Sequence, residues 1–349
     1  MEKLKFKGDK IILLIVILLS LLSVMMIASA GDRWMEQLRN FGVGFFLLFL
    51  FYHIDYRIVS RFATPLLILS GVLLIISFGD RSVSFFGIDL QIFYFIGFCL
   101  LIFMSKFLAK KINYEEELSQ KEVITLFGLI LIFCGGIFIS NQSTALILFC
   151  TCIVLLFVGR VKIKYLLVFF GIMIVGVSLA LVLKIGRVDT LKNRITYWWN
   201  DSITSGMDKD YGRQSILSRT AISTASWLPI HVGKGNIKKI LPEKDNDYVF
   251  AVLVEEMGIL VGIFVLFAYL FILYRTMRIA RNADGAFAML LAWGIGFWFC
   301  MQALIHIGVN SFLIPATGQT LPFVSRGGMS LAISGMAIGM LLNISKKES

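Results

Sequence analysis

The length of its apolar runs constrains this chain more than any other feature. Blocks near residues 11–30, 41–54, 61–78, 90–108, 122–140, 143–159, 165–184, 248–274, 285–307 and 327–344 lie close to the roughly 20 residues that carry a helix across bilayer hydrocarbon. Water cannot solvate such runs. The 58% of hydrophobic residues and only 16% of charged ones stand against about 45–50% and 25% in an average soluble domain. The 349 residues would suffice for two soluble domains, but the pattern predicts one all-α, polytopic membrane bundle of ten spans over 1–349. The first block is longer than the usual 7–15-residue apolar core of a signal peptide, so it is expected to stay as an anchor. All five cysteines fall inside apolar blocks, which excludes a disulfide framework and a cysteine zinc site. Basic residues flanking spans account for the net charge of +11 without any nucleic-acid partner.

Orientation follows from the loops. With the N-terminus inside, 18 Lys and Arg fall in inner segments, and only Arg33, Arg39, Arg81 and Arg326 fall in short outer ones. This asymmetry predicts both termini in the cytoplasm, because short loops retain positive charge on the inner side. Residues 185–247 then form one large outer loop before the eighth span, with amphipathic pieces such as Leu217 to Trp227 expected to lie against the bundle. Residues 308–328 contain Pro315, Gly318, Pro322, Gly327 and Gly328, which predicts a re-entrant, non-helical turn buried in protein or lining a cavity. The absence of an evident internal repeat weighs against inverted-repeat transporters.

Two segments carry a specific resemblance. Residues 315–328, Pro-Ala-Thr-Gly-Gln-Thr-Leu-Pro-Phe-Val-Ser-Arg-Gly-Gly, and 246–258, Asn-Asp-Tyr-Val-Phe-Ala-Val-Leu-Val-Glu-Glu-Met-Gly, resemble signatures of the SEDS family, the FtsW, RodA and SpoVE membrane proteins of bacterial wall synthesis. Thr317–Pro322, Gly233-Lys234-Gly235-Asn236 and the opening Gly8-Asp9-Lys10 look closer to its cell-division branch, FtsW. The sequence departs from the family where Gln91-Ile92-Phe93-Tyr94 replaces Gln-Pro-Ser-Glu. Further departures are Ser140–Thr144 in place of an acidic or proline-containing turn, His306 in place of Asn, and Asp245-Asn246 in place of His-Thr.

The resemblance implies a peptidoglycan glycosyltransferase that polymerises lipid II at the outer face of the bacterial cytoplasmic membrane during division. A sugar hydroxyl would attack an anomeric carbon whose leaving group is a lipid pyrophosphate. Such a reaction needs a base for the hydroxyl and positive charge for the pyrophosphate, but no second carboxylate as general acid, since the leaving group is already good. The family match assigns the base to Asp247, which is otherwise read as a helix-capping carboxylate. Expected substrate-binding residues are Arg213, Arg219, Lys234, Lys239, Thr317, Gln319, Ser325 and Arg326, with Lys238, Lys244 and Thr320 as further candidates.

In a continuous helix, at about 1.5 Å and 100° per residue, Glu255 would lie about 12 Å deeper than Asp247 and Glu256 on the opposite face, so both are read as structural. Asp208 and Asp210, like Asp245 and Asp247, match an Asp-x-Asp metal pattern too short to carry a site. No cofactor is assigned, and a divalent cation is left open. His53, His231 and His306 are too far apart in sequence to suggest a His metal cluster or a Ser-His-Asp set. The chain offers no nucleophilic serine site for cross-linking peptides. The resemblance therefore implies a class B penicillin-binding protein as partner, beside other division proteins. A lipid II flippase and a non-catalytic division scaffold remain the alternative readings.

Overall fold

The computed structural model describes residues 7–28, 34–77, 83–85, 88–90, 92–183, 188–200, 209–229, 233 and 235–346. Lys3, Lys5, Arg33, Arg81, Gln91, Lys184, Arg187, Asp208, His231, Lys234 and Lys347 lie outside them. The end of the bundle that carries the N-terminus is called inner below, and the opposite end outer.

The apolar blocks are helical: α1 (Lys10–Ala28), α2 (Trp34–His53), α3 (Tyr56–Ile76), α4 (Phe93–Asn113), α5 (Gln120–Ser140), α6 (Gln142–Val158) and α7 (Ile163–Val182). The outer segment contributes α8 (Val188–Asn200), α9 (Lys209–Ser223) and the single turn α10 (Ile237–Ile240). Four more helices follow: α11 (Val249–Met257), α12 (Ile259–Arg281), α13 (Ala286–Asn310) and α14 (Gly328–Ser345). A short antiparallel hairpin of β1 (Val83–Phe85) and β2 (Ile88–Leu90) is the only β structure among the described residues.

Local chemistry sets the helix starts. Asp9 accepts from the Ile11 and Ile12 amides at the head of α1, Asp55 caps α3, Asn141 caps α6, and Ser119 with Glu122 forms a reciprocal capping box on α5. Each satisfies amides that a first helical turn leaves without partners.

Seven of these helices are long and apolar enough to cross a membrane, namely α1, α3, α4, α5, α12, α13 and α14, with α6 and α7 as shorter apolar helices. The molecule is thus a multi-pass helical membrane protein. The eighth block departs from expectation, because it breaks at Gly258, where φ is +85°. α11 is a separate helix, not the outer half of a span. A straight helix over 247–281 would be about 52 Å long, against about 30 Å of hydrocarbon. Instead the Asp247 carbonyl and the Ala251 amide both bond to Asn310, at the outer end of α13. The chain therefore folds back across the top of the bundle, and the deeper placement expected for Glu255 and Glu256 does not hold.

α4 and α13 run through the core, with most of their side chains buried. α2 and α14 pack in parallel with backbone contact, where a Cβ on Gly335 or Gly339 would collide with the carbonyl oxygen of Gly44 or Leu48. Gly335 and Gly339 are one turn apart, the small-xxx-small spacing that lets helices in lipid approach closely. At the inner end the Arg275 guanidinium pairs with buried Asp9 at 2.6 Å. Nearby, Asn343 donates to the Tyr52 carbonyl and accepts from the Tyr56 amide, which ties the C-terminus to the α2–α3 turn.

Candidate active site at the outer end

The site begins with the turn at 242–248, which enters α11. Three successive carbonyls of this turn are held from outside it. The Arg326 amide donates to Asp245 O at 2.7 Å, Ser325 Oγ to Asn246 O at 2.8 Å, and Asn310 Nδ2 to Asp247 O at 3.0 Å. Backbone polar groups need partners when withdrawn from water, and the turn at 311–327 with the last residue of α13 supplies them. That turn contains Phe312, Gly318 and Phe323 at positive φ. Glycine at 318 is favoured both by its φ of +71° and by its neighbour, since a Cβ would stand 3.2 Å from Asp247 Oδ2 and crowd the carboxylate.

A cavity of about 230 Å³ opens beside the Asp247 carboxylate. Its walls include Asp247, Glu243, Arg194, Arg326, Thr317, Thr320, Gly318 and the 140–143 turn between α5 and α6. Two guanidiniums thus share a polar cavity with a carboxylate that is only partly exposed. Arg194 reaches in from α8 and donates to the Ala316 carbonyl at 3.1 Å. Arg326 Nη1 lies 3.9 Å from Asp245 Oδ2, far enough to leave this donor hydrogen-bonding capacity.

Of the sequence-derived candidates, Asp247, Thr317, Thr320 and Arg326 meet at this cavity. Gln319 and Ser325 lie just behind it and are buried. Gln319 Nε2 donates to Thr144 Oγ1 at 3.0 Å, the Gln319 main-chain carbonyl meets His306 Nδ1 at 2.7 Å, and Ser325 Oγ accepts the Leu321 amide. These bonds shape the turn and leave little for a substrate. Arg213, Arg219, Lys239 and Lys244 are not among the cavity-lining residues. Arg213 and Lys239 are exposed, and the exposed Arg219 guanidinium covers the Phe312 ring at 5.5 Å. Lys234 lies outside the described residues.

Lys238 overturns its reading as a surface anion donor. It is buried, with Nζ 3.0 Å from Glu256 Oε1 and 3.0 Å from the Met26 carbonyl. Glu255 accepts the Ile237 and Lys238 amides, so both glutamates fasten α10 to α11.

Arg194 is a cavity-lining cation that the sequence did not reveal. Its helix, Val188–Asn200, is amphipathic, but only the fold brings it opposite Asp247. Tyr94, at the last position of the altered Gln91–Tyr94 stretch, is buried and bonds through its hydroxyl to Thr320 Oγ1 at 3.0 Å. A neutral phenol therefore supports the cavity floor. Among the described residues no group of three His, Cys, Asp or Glu side chains gathers around a metal. A divalent cation at this cavity would find Asp247 and Glu243, a set suited to an ion that takes its remaining ligands from water and substrate phosphates.

The fold and cavity define a class: a multi-pass helical membrane protein with a carboxylate and two arginines in a polar cavity at one end of its bundle. The chain belongs to the FtsW/RodA/SpoVE family, whose model, described as "Cell cycle protein", matches residues 9–349. Stage V sporulation protein E of Bacillus subtilis is 29% identical over 373 residues and covers 98% of each chain. A probable peptidoglycan glycosyltransferase FtsW of Geobacter sp. strain M18 is 27% identical, covering 97% of each. A chain from "Structural coordination of polymerization and crosslinking by a peptidoglycan synthase complex" superposes with a TM-score of 0.80 at 21% identity, covering 97% of this chain and 98% of that one. The rod shape determining protein RodA of Thermus thermophilus gives 0.71 at 20% identity, covering 99% of both. These two likenesses establish the shared fold.

Proposed function

We propose that the chain is a peptidoglycan glycosyltransferase that polymerises lipid II at the outer face of the bacterial cytoplasmic membrane during cell division. The observation that carries this reading is the sharing of one outer cavity by the Asp247 carboxylate and the Arg194 and Arg326 guanidiniums. Asp247 accepts the proton of the attacking sugar hydroxyl as the new glycosidic bond forms. The lipid pyrophosphate leaves with the bond electrons, and the two guanidiniums neutralise its charge, a role suited to their planar, bidentate donors. With one carboxylate acting and no covalent intermediate, the anomeric configuration inverts in a single displacement. The relatives named as peptidoglycan glycosyltransferases support the reaction class. The proposed partner is a single-span class B penicillin-binding protein, which would cross-link the strands and raise the polymerisation rate.

Polymerisation of purified lipid II by the chain with its cognate transpeptidase tests the chemistry. Asp247→Asn keeps the size of the side chain and removes the base, so the rate should fall by about 10²–10⁴-fold; retention of most activity would refute the mechanism. Asp247 is held through its main chain, so the variant should keep the native melting temperature. Adding the transpeptidase with its active serine mutated should still stimulate glycan synthesis. No stimulation by an intact complex would show that the partner does not activate this site.

A further inference from the structure

The break at Gly258 is closed by residues from far back in the outer segment. The amides of Ile259 and Leu260 donate to the carbonyls of Ser226 and Trp227 at 2.9 and 3.4 Å. A Cβ on Gly258 would lie 2.7 Å from the Trp227 carbonyl oxygen, so the backbone at 226–228 rests directly on the head of α12. The first amides of a helix have no partner within it, and leaving them bare in lipid is expensive. Here a distant loop provides the cap.

Helix length shows where this cap meets the bilayer. α12 alone has 23 residues, about 34 Å at about 1.5 Å per residue, enough for roughly 30 Å of hydrocarbon. Its last turn carries Arg278 and Arg281, the inner-end signature. Its outer end at Ile259 therefore falls at the outer headgroup level. At that level Trp227 is 67% and Leu228 62% exposed. Leu260, bonded to Trp227 through its amide, is 48% exposed, and Ile263, Phe264 and Phe267 continue outward-facing apolar surface down α12. The patch is thus continuous with the lipid-facing side of a span, and tryptophan is enriched at such boundaries because its ring is amphipathic.

We infer that residues 226–228 form an interfacial foot, in which Trp227 and Leu228 enter the headgroup–acyl boundary of the outer leaflet while the carbonyls of Ser226 and Trp227 close the head of α12. The foot fixes the outer segment to the membrane surface beside the buried Lys238–Glu256 clasp. It rests on the membrane placement of α12 and is independent of the role given to Asp247.

The test uses the full chain carrying Leu228→Cys, labelled with an NBD fluorophore in vesicles of phosphatidylcholine and phosphatidylglycerol. The native chain, treated identically, provides the background from its own cysteines. NBD emission should be blue-shifted, and lipid with a nitroxide near the headgroup should quench it at least twofold more than lipid with the nitroxide near the acyl terminus. A label at Thr224→Cys, exposed at the end of α9, should remain in water and unquenched. Aqueous emission at position 228, strongest quenching from the deep nitroxide, or equal quenching at 224 and 228 would each overturn the foot. So would shielding at 228 that appears only when the cognate transpeptidase is added, since that would make the patch a protein-docking site.

Discussion

α2 and α14 on one side of the molecule, and α7 on another, are attached by different physics. The first two touch backbone to backbone in a fixed parallel register, with Gly335 on Gly44, Gly339 on Leu48 and Asn343 on Tyr52. α7 is held by side chains near its inner end, where buried Phe169 stacks on Phe127 with centroids 4.1 Å apart. Its outer half shows Ile174, Val175, Leu179 and Val182 to lipid. An apolar cavity of about 310 Å³ separates that half from α5 and α6. In lipid no hydrophobic force drives helices together, so close packing and hydrogen bonds decide which contacts are firm. The difference separates a frame from an adjustable wall. Asp247 is tied through its carbonyl to Asn310 at the end of α13, and Arg326 stands two residues before α14 of the frame, whereas Arg194 stands on α8, which follows α7.

The largest expected effect tests a third kind of attachment, the buried Lys238–Glu256 pair that joins α10 to α11. Lys238→Met strands Glu256, and breaking such a pair costs about 3–5 kcal/mol, to be read as a lowered melting temperature. Replacing both partners, with Lys238→Met and Glu256→Leu, should recover most of that loss. If the double variant is no more stable than the single, the clasp is not the source. Next comes the frame. Gly335→Leu forces a side chain into the Gly44 carbonyl and should cost about 3 kcal/mol or more, while Gly128→Leu, with open space around it, should change stability little. Equal melting temperatures for these two leucine variants would remove the distinction drawn for α2 and α14. The smallest effect is expected in the wall. Val175→Ala, at a side chain 66% exposed on the outer half of α7, should change stability by less than about 0.5 kcal/mol, because lipid chains replace the lost apolar contact. A loss as large as that of Gly335→Leu would show α7 to be as firmly built as the frame.

Much of this architecture is legible in the sequence, because a residue run that lipid must solvate has few ways to fold. The helical class and the positions of the apolar helices follow from that alone, and residues 246–258 and 315–328 both border the Asp247 cavity. Three features escape for identifiable reasons. Gly258 lies inside an apolar run, where nothing local distinguishes a helix break from a tolerated glycine. Lys238 and Glu256 are 18 residues apart, a separation at which sequence spacing says nothing about pairing, so Lys238 reads as a surface anion donor and Glu256 as a structural carboxylate without a named partner. Arg194 gains its place only when α8 folds over the 311–327 turn. The Gly335–Gly339 spacing, by contrast, was present as a signal for close packing and required only attention to small residues one turn apart.

The bonds from Arg326, Ser325 and Asn310 to residues 245–247 end on carbonyl oxygens, so these three ties do not depend on which side chain stands at 247. Inheritance acts on that separation. On the proposed function, a copy of the gene that loses the carboxylate should still yield a folded, membrane-inserted protein that competes with the working copy for the same partner. In a cell that makes both, such an allele should behave as a dominant competitor, whereas an allele that damages the Gly335–Gly44 contact should fail to accumulate and be recessive.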